Sequence, residues 1–261
     1  ECVHSSPARE TVIRDCETGK IVCEVTRDEI DFPAGYLDGD TFHVTGVDKY
    51  HRDTILIFST KGLKNWTKRI LHSHEGFRHY NTCLTKGPDG YVLLMESDMP
   101  KEITGDHPFT YVFATSPDLV NWTDMDPNTA YPLGRYSGGP WMHYSEGWYY
   151  VIGCTELPCL RYTEYIYRTR DFTAWEVGFY NPIHMPGPKD LELSPNAADI
   201  TPEFYERIKT LFHINVSDID MCEYNGKVYI NYICGNQQGF GYIAEGEYDG
   251  TLAEFLKAFF E

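Results

Sequence analysis

The chain has 261 residues, 42% of them hydrophobic, enough to bury a core and ordinary in length for one all-β or α/β unit. It carries 22 Lys and Arg against 39 Asp and Glu, and a net charge of −17 repels phosphate backbones and anionic bilayers, which excludes nucleic acid and membrane surfaces as partners. The 20 Tyr, 14 Phe and 5 Trp, alongside 22 Gly and 15 Pro, favour strands joined by tight turns over a helical bundle.

The first residues, ECVHSSPARE, hold no basic segment followed by an apolar one, so no signal peptide is read there; the chain opens on Glu1, which leaves upstream processing open. No run of about 18 apolar residues occurs, so no membrane-spanning helix is expected. ETVIRDCETGKIVCEV, within residues 10–26, reads as a hairpin around Thr18-Gly19. A pattern then recurs: an alternating strand, a Gly turn, an aromatic strand, a third short strand and a polar turn closed by Trp. Its copies are FPAGYLDGDTFHVTGV with TILIFSTKGLKNWTKRIL, NTCLTKGPDGYVLLMES with TYVFATSPDLVNWTDM, and GPWMHYSEGWYYVIGCTE with EYIYRTRDFTAWEVGF. SPNAADITPEFYERIKTLF interrupts them with an expected helix near residues 199–212, capped by Thr201, with Pro202 in its first turn and Phe204, Ile208 and Leu211 on one face. A fourth copy, SDIDMCEYNGKVYINYI with GYIAEGEYDG, lacks the tryptophan, and TLAEFLKAFF closes the chain as a short amphipathic helix.

The turn glycines Gly39, Gly90, Gly147 and Gly226 lie 51, 57 and 79 residues apart, and Trp66, Trp122 and Trp175 lie 56 and 53 apart. A unit of about 50 residues cannot cover both faces of its own sheet, so such units stack. The expected fold is all-β: one five-bladed β-propeller domain over residues 1–261, with blades near 31–72, 78–128, 135–182 and 216–250 and the 10–26 hairpin completing the fifth. A double-sheet sandwich is the alternative, and the regular period favours the propeller. The 8 cysteines include no Cys-x-x-Cys, and several sit in apolar strand patterns; they read as buried free thiols, which leans toward a reducing, cytoplasmic setting.

The segments STKGLKNWT, SPDLVNWT and TRDFTAW resemble the S-x-D-L-x-x-W blade turns of five-bladed propeller glycosidases, the superfamily of glycoside hydrolase families 43, 32, 117 and 130. SDIDMCEYNGKVYINYI resembles the family 43 blade start P-D-I-x-x-x-N-G-K-Y-Y-L-Y-Y, with Asp220 on the family's Asp and Asp218 two residues earlier. Two positions depart from that family. Phe32-Pro33 replaces an Asp-Pro whose Asp acts as base, and Gly138-Gly139-Pro140 replaces the Glu-Gly-Pro that holds the general acid. The resemblance therefore implies a propeller glycosidase with its own acid and base.

In a propeller, the start of each blade's first strand and the end of its second meet at one face. That places Asp31, Arg78, His79, Asn81, Tyr136, Asp218 and Asp220, together with Glu96, Glu156, Asn236 and Gln237, in one candidate site. Glycoside hydrolysis needs one protonated and one ionised carboxyl. Asp31 or Asp218 is the candidate base and Glu96 or Glu156 the candidate acid; Arg78, His79, Asn81, Tyr136, Asp220, Asn236 and Gln237 are the candidate sugar contacts. An ordinary explanation competes at each: an Asx turn at Asp218, a buried structural group at Asp220, solvated strand ends at Glu96 and Glu156, a linker charge at Asp31 and an ion pair at Arg78. The Asn-x-Ser/Thr matches at Asn65, Asn121 and Asn215 fall mostly in turns that suit Asn without a glycan.

His72, His74 and Glu75 invite a zinc reading, but neither a helical His-x-x-x-His nor a cysteine pair accompanies them, so no metal ligand is assigned and no cofactor expected beyond an open option of a cation in the channel. G-x-G-x-x-G, P-loop and G-x-S-x-G motifs are absent. The expected function is an exo-acting, inverting glycoside hydrolase taking an oligosaccharide. Its rivals are a phosphorylase using Arg78, His79 and Arg161, and a non-catalytic carbohydrate-binding propeller. The oligomeric state is not legible.

Overall fold

Alternating apolar residues and glycine turns give antiparallel strands throughout the computed structural model, which describes residues 2–5, 10–106, 108–129, 135–159, 161–194, 197 and 200–261. β1 (Cys2–Ser5), β2 (Glu10–Arg14) and β3 (Ile21–Arg27) form a three-stranded sheet, with the predicted hairpin turning at Gly19 (φ +67°). β4 (Ile30–Asp38), β5 (Thr41–Asp48), β6 (Thr54–Thr60) and β7 (Thr67–Ser73) form a four-stranded sheet in chain order. β8 (Arg78–Gly87), β9 (Gly90–Met99), β10 (Thr110–Ser116) and β11 (Thr123–Asp124) form another, with the helical turn α1 (Lys101–Thr104) between β9 and β10. β12 (Gly138–Ser145), β13 (Trp148–Leu157), β14 (Arg161–Thr169) and β15 (Trp175–Val177) follow, then α2 (Pro202–Thr210), β16 (Asn215–Tyr224), β17 (Lys227–Gly235), β18 (Gly241–Asp249) and α3 (Leu252–Lys257). A single parallel pair, Tyr162 at the start of β14 with Asn215 of β16, links the strands of the third and fourth sequence units into one seven-stranded sheet.

The chain divides into two compact units, Glu1–Gly134 and Arg135–Glu261. In the first, β6 displays the period-two rule directly. Ile55 and Ile57 pack with Leu93, Met95 and Val112 of the β8–β11 sheet, while Leu56 and Phe58 pack with Ile13 and Val25 of the N-terminal sheet. β6 is thus covered on both faces, which is why it reads as a nearly unbroken apolar run. In the second unit Trp141, Tyr150, Ile152 and Ile166 meet Ile219 and Val228, and α3 adds Leu252, Leu256 and the following Phe260.

Both predicted helices are capped, α2 by the expected Thr201 and α3 by a box the sequence reading did not name. Thr201 accepts a hydrogen bond from the Phe204 amide, and Thr251 and Glu254 form a capping box at α3. Among the described residues no helix is long and apolar enough to cross a membrane. Buried thiols were expected; Cys154 and Cys234 are buried, but Cys16, Cys159 and Cys222 are exposed.

Candidate active site

The first strands of the four sequence units share an irregularity near their starts: two residues oppose one on the neighbouring strand. Phe32-Pro33 lies against Gly46, Tyr80-Asn81 against Glu96, Gly139-Pro140 against Gly153, and Asp218-Ile219 against Tyr232. Phe32, Gly139 and Asp218 take the same left-handed backbone, with φ of +55°, +52° and +54°. Such bulges re-aim side chains, and they tolerate proline because the extra residue makes no ladder bond. The register therefore aligns Asp218 with Phe32 and Gly139. Asp220, which the sequence alignment favoured, is back in the regular ladder opposite Asn231 and exposed.

Within the second unit, Asp218 rests on Gly139. A Cβ on Gly139 would lie 2.9 Å from the Asp218 amide nitrogen and 3.0 Å from its Oδ1, so both the backbone angle and the space demand glycine. A relay of donors supports the carboxylate. Gln237 Nε2 donates to Asn215 Oδ1 (2.6 Å), Asn215 Nδ2 to Ser217 Oγ (3.0 Å), and Ser217 Oγ to Asp218 Oδ2 (2.6 Å). Burial nevertheless pushes the Asp218 carboxyl up, against the lowering effect of Ser217.

Glu164 of β14, which sequence reading did not single out, is fully buried, with the Ile219 amide as a hydrogen-bonding neighbour. Burial first and the neighbouring Asp218 charge second push its carboxyl well above the usual range, against the lowering effect of that backbone hydrogen bond. Asp190, also missed, behaves oppositely. Its burial is outweighed by hydrogen bonds from His184 Nε2 (3.1 Å), Tyr232 Oη (2.7 Å) and the Gly187 amide (2.6 Å), and its carboxyl stays below the ordinary value. His184 bridges to Glu164 through the backbone, so a carboxyl raised by burial and a carboxyl held low by its hydrogen bonds sit on adjoining segments. Neither has a sequence signal beyond its residue type, because burial is conferred by segments distant in the chain.

The other candidates of this unit differ. Glu156 is exposed near the end of β13, opposite Tyr162. Tyr136 packs edge-on against Tyr162, and its hydroxyl would lie 3.1 Å from a Cβ on Gly138, so a tyrosine crowds the position where the family pattern has glutamate. Asn236 is a turn residue, its side chain accepting from the Gln238 and Phe240 amides.

In the first unit the bulges build a different surface. Asp31 pairs with Arg52 (3.0 Å), whose guanidinium lies over the rings of Phe32 (5.3 Å) and Tyr80 (4.8 Å); Phe109 meets Tyr80 edge-on. Glu96 is buried, not the solvated strand end one explanation had it, and accepts from Asn81 Nδ2 (2.8 Å). Arg78 forms a two-pronged ion pair with Asp98, which Tyr80 also approaches. His79 is fully buried on Ser97 Oγ (2.6 Å); burial, then the nearby His74 and His72, push it down to about 3, so it is neutral. Arg78 and His79 are thus engaged with protein partners.

No protein-family model and no curated protein sequence matches the chain. Solved structures do. A thermostable family-43 glycoside hydrolase aligns over 86% of this chain and 70% of its own, at 9% identity and a TM-score of 0.60. The GH32 β-fructofuranosidase of Bombyx mori aligns over 88% of this chain at 16% identity and a TM-score of 0.57, and the exo-β-1,3-galactanase of Phanerochaete chrysosporium over 97% at 12% and 0.57. The chain spans about half the length of the latter two, 47% and 52%. At such identities the likeness is one of fold: this mostly β chain is similar in fold to solved GH32 and GH43 glycoside hydrolases, which are five-bladed β-propeller families.

Proposed function

We propose that the protein is a glycoside hydrolase built as a five-bladed propeller, exo-acting on a terminal sugar of an oligosaccharide and inverting. The observation that carries this reading is the bulge-borne Asp218 beside the buried Glu164, both with carboxyls raised by burial and Glu164 well above the usual range. Neighbouring carboxyls shifted by their surroundings are what acid-base hydrolysis draws on, and strand-start bulges are where a scaffold presents side chains to a ligand. Asp218 serves as the base that activates water. Glu164 is a positioning residue that restrains Asp218. Glu156 protonates the leaving oxygen, and inversion requires it to stand roughly 6.5 to 9.5 Å from Asp218. Phe32, Tyr80 and Phe109 offer apolar faces to sugar rings. Two of the fold relatives were solved with sucrose or β-1,3-galactotriose bound, which supports an oligosaccharide as the ligand class.

A substrate found by screening a glycan library tests the reading. Asp218→Asn is expected to lower kcat by about 100-fold or more, the usual scale of general acid-base assistance, with KM little changed. Glu156→Gln then tests the acid. Wild-type turnover in both variants would overturn the assignment. The crowding of Gly138 by Tyr136 favours one second reading, a non-catalytic carbohydrate-binding propeller. Calorimetric binding of an intact oligosaccharide that survives prolonged incubation would establish that reading instead.

A further inference from the structure

Away from the carboxylates, the first unit gathers two histidines and an aspartate whose ligand atoms lie within 4.8 Å of one another. His72 ends the apolar part of β7, and His74 follows two residues later, so the two imidazoles share a face of extended chain. Asp124, the last residue of β11, closes the triangle: its Oδ1 is 2.8 Å from His72 Nε2 and its Oδ2 3.7 Å from His74 Nε2. These separations bracket the edge of a tetrahedron with zinc-ligand bonds, about 3.3 Å. Although His72 Nε2 is close to the carboxylate, it lacks the alignment of a hydrogen bond and is buried with no hydrogen-bond partner among the described residues. Atoms that approach one another yet point past one another are arranged for a common third atom.

The surroundings hold this geometry. The Phe77 amide donates to the His74 carbonyl (3.1 Å) across a turn whose third residue, Gly76, has φ +84°, and the His74 amide donates to the Asp53 carbonyl (2.8 Å). The Phe77 ring stacks on His74 at 3.5 Å, and Trp122 flanks His72 at 6.1 Å, giving an apolar wall. Glu75, the third ligand that the sequence invited, is exposed; the third ligand is instead supplied 50 residues further along the chain from His74.

We propose that His72, His74 and Asp124 bind one zinc ion, with water in the fourth position, tying β7 to β11. Two imidazoles and a carboxylate in tetrahedral spacing suit zinc over calcium or magnesium, which take mainly oxygen ligands. The site is independent of the glycosidase reading.

The test uses the full chain, stripped with a chelator and with thiols alkylated so that Cys16, Cys159 and Cys222 cannot compete for metal. Titration with Co²⁺ is expected to give the visible bands of a tetrahedral centre, saturating at one ion per chain and displaced by Zn²⁺, and Zn²⁺ should raise the thermal midpoint. His74→Ala and Asp124→Asn are expected to weaken Co²⁺ binding by about 100-fold or more. Asp124 is half exposed, so its variant should fold normally and melt like the wild type in chelator. Absence of saturable tetrahedral Co²⁺ binding in the wild type, or equal affinity in a folded Asp124→Asn variant, overturns the site.

Discussion

Single residues explain the features that local sequence made conspicuous. The Asp of SPDLVNWT is needed because its carboxylate accepts from the Val120 and Asn121 amides, both at 2.8 Å, in a turn where Leu119 has φ +65° and Trp122 Nε1 donates to the Leu119 carbonyl. The Asn121 and Val120 amides hold the Asp118 carboxyl down to about 2. Its contribution to stability is therefore complete above the unfolded value of about 3.9 and is lost as pH falls toward 2. Denaturant titrations between pH 5 and 2 should show Asp118→Ala destabilised at the upper end and converging on the wild type at the lower; a constant gap would refute that role. Glu164 has the opposite sign. With its native carboxyl raised, the unfolded chain releases the proton first, so the wild type loses stability as pH rises above about 4.3. Glu164→Gln removes that linkage. Its thermal midpoint relative to wild type should climb from pH 4 to pH 8, and a pH-independent difference would count against the buried acid. Asp218 was visible in the sequence as a polar residue at a strand start; Glu164 was not, since nothing within EYIYRT distinguishes a buried carboxyl from one facing solvent.

At the level of elements, periodicity carried most of the information. Strand pairs, outer turns and the capped helix at Pro202–Thr210 fall where alternation, glycine spacing and Thr201-Pro202 put them. The two-residue bulges were not legible, because a bulge is a mismatch between two strands and leaves only its proline or its left-handed residue in either one. The closing helix was read as amphipathic, but its partners come from elsewhere: Leu256 is fully buried against the cluster containing Trp141, Tyr150 and Phe260. Leu256→Ala should cost about 2–5 kcal/mol in chemical denaturation. A loss below 1 kcal/mol would mean that the helix is dispensable for that core.

For the molecule as a whole, charge is the property that sequence alone determines, since it depends on composition and not on arrangement. A net charge of −17 should leave binding of neutral oligosaccharides nearly independent of ionic strength, while uronate-rich glycans should bind more weakly at low salt and recover as the field is screened. Calorimetry at 20 and 300 mM NaCl distinguishes these cases, and equal salt dependence for both classes would contradict the argument. Sequence also determined that the chain is a series of repeated antiparallel sheets, because strand alternation and turn glycines are local, short-range requirements. Only the tertiary structure decided which carboxyls burial raises, which arginine is already paired, and that His72 and His74 meet Asp124. Desolvation and ligand geometry are produced by segments brought together from distant parts of the chain, and no single stretch of sequence contains them.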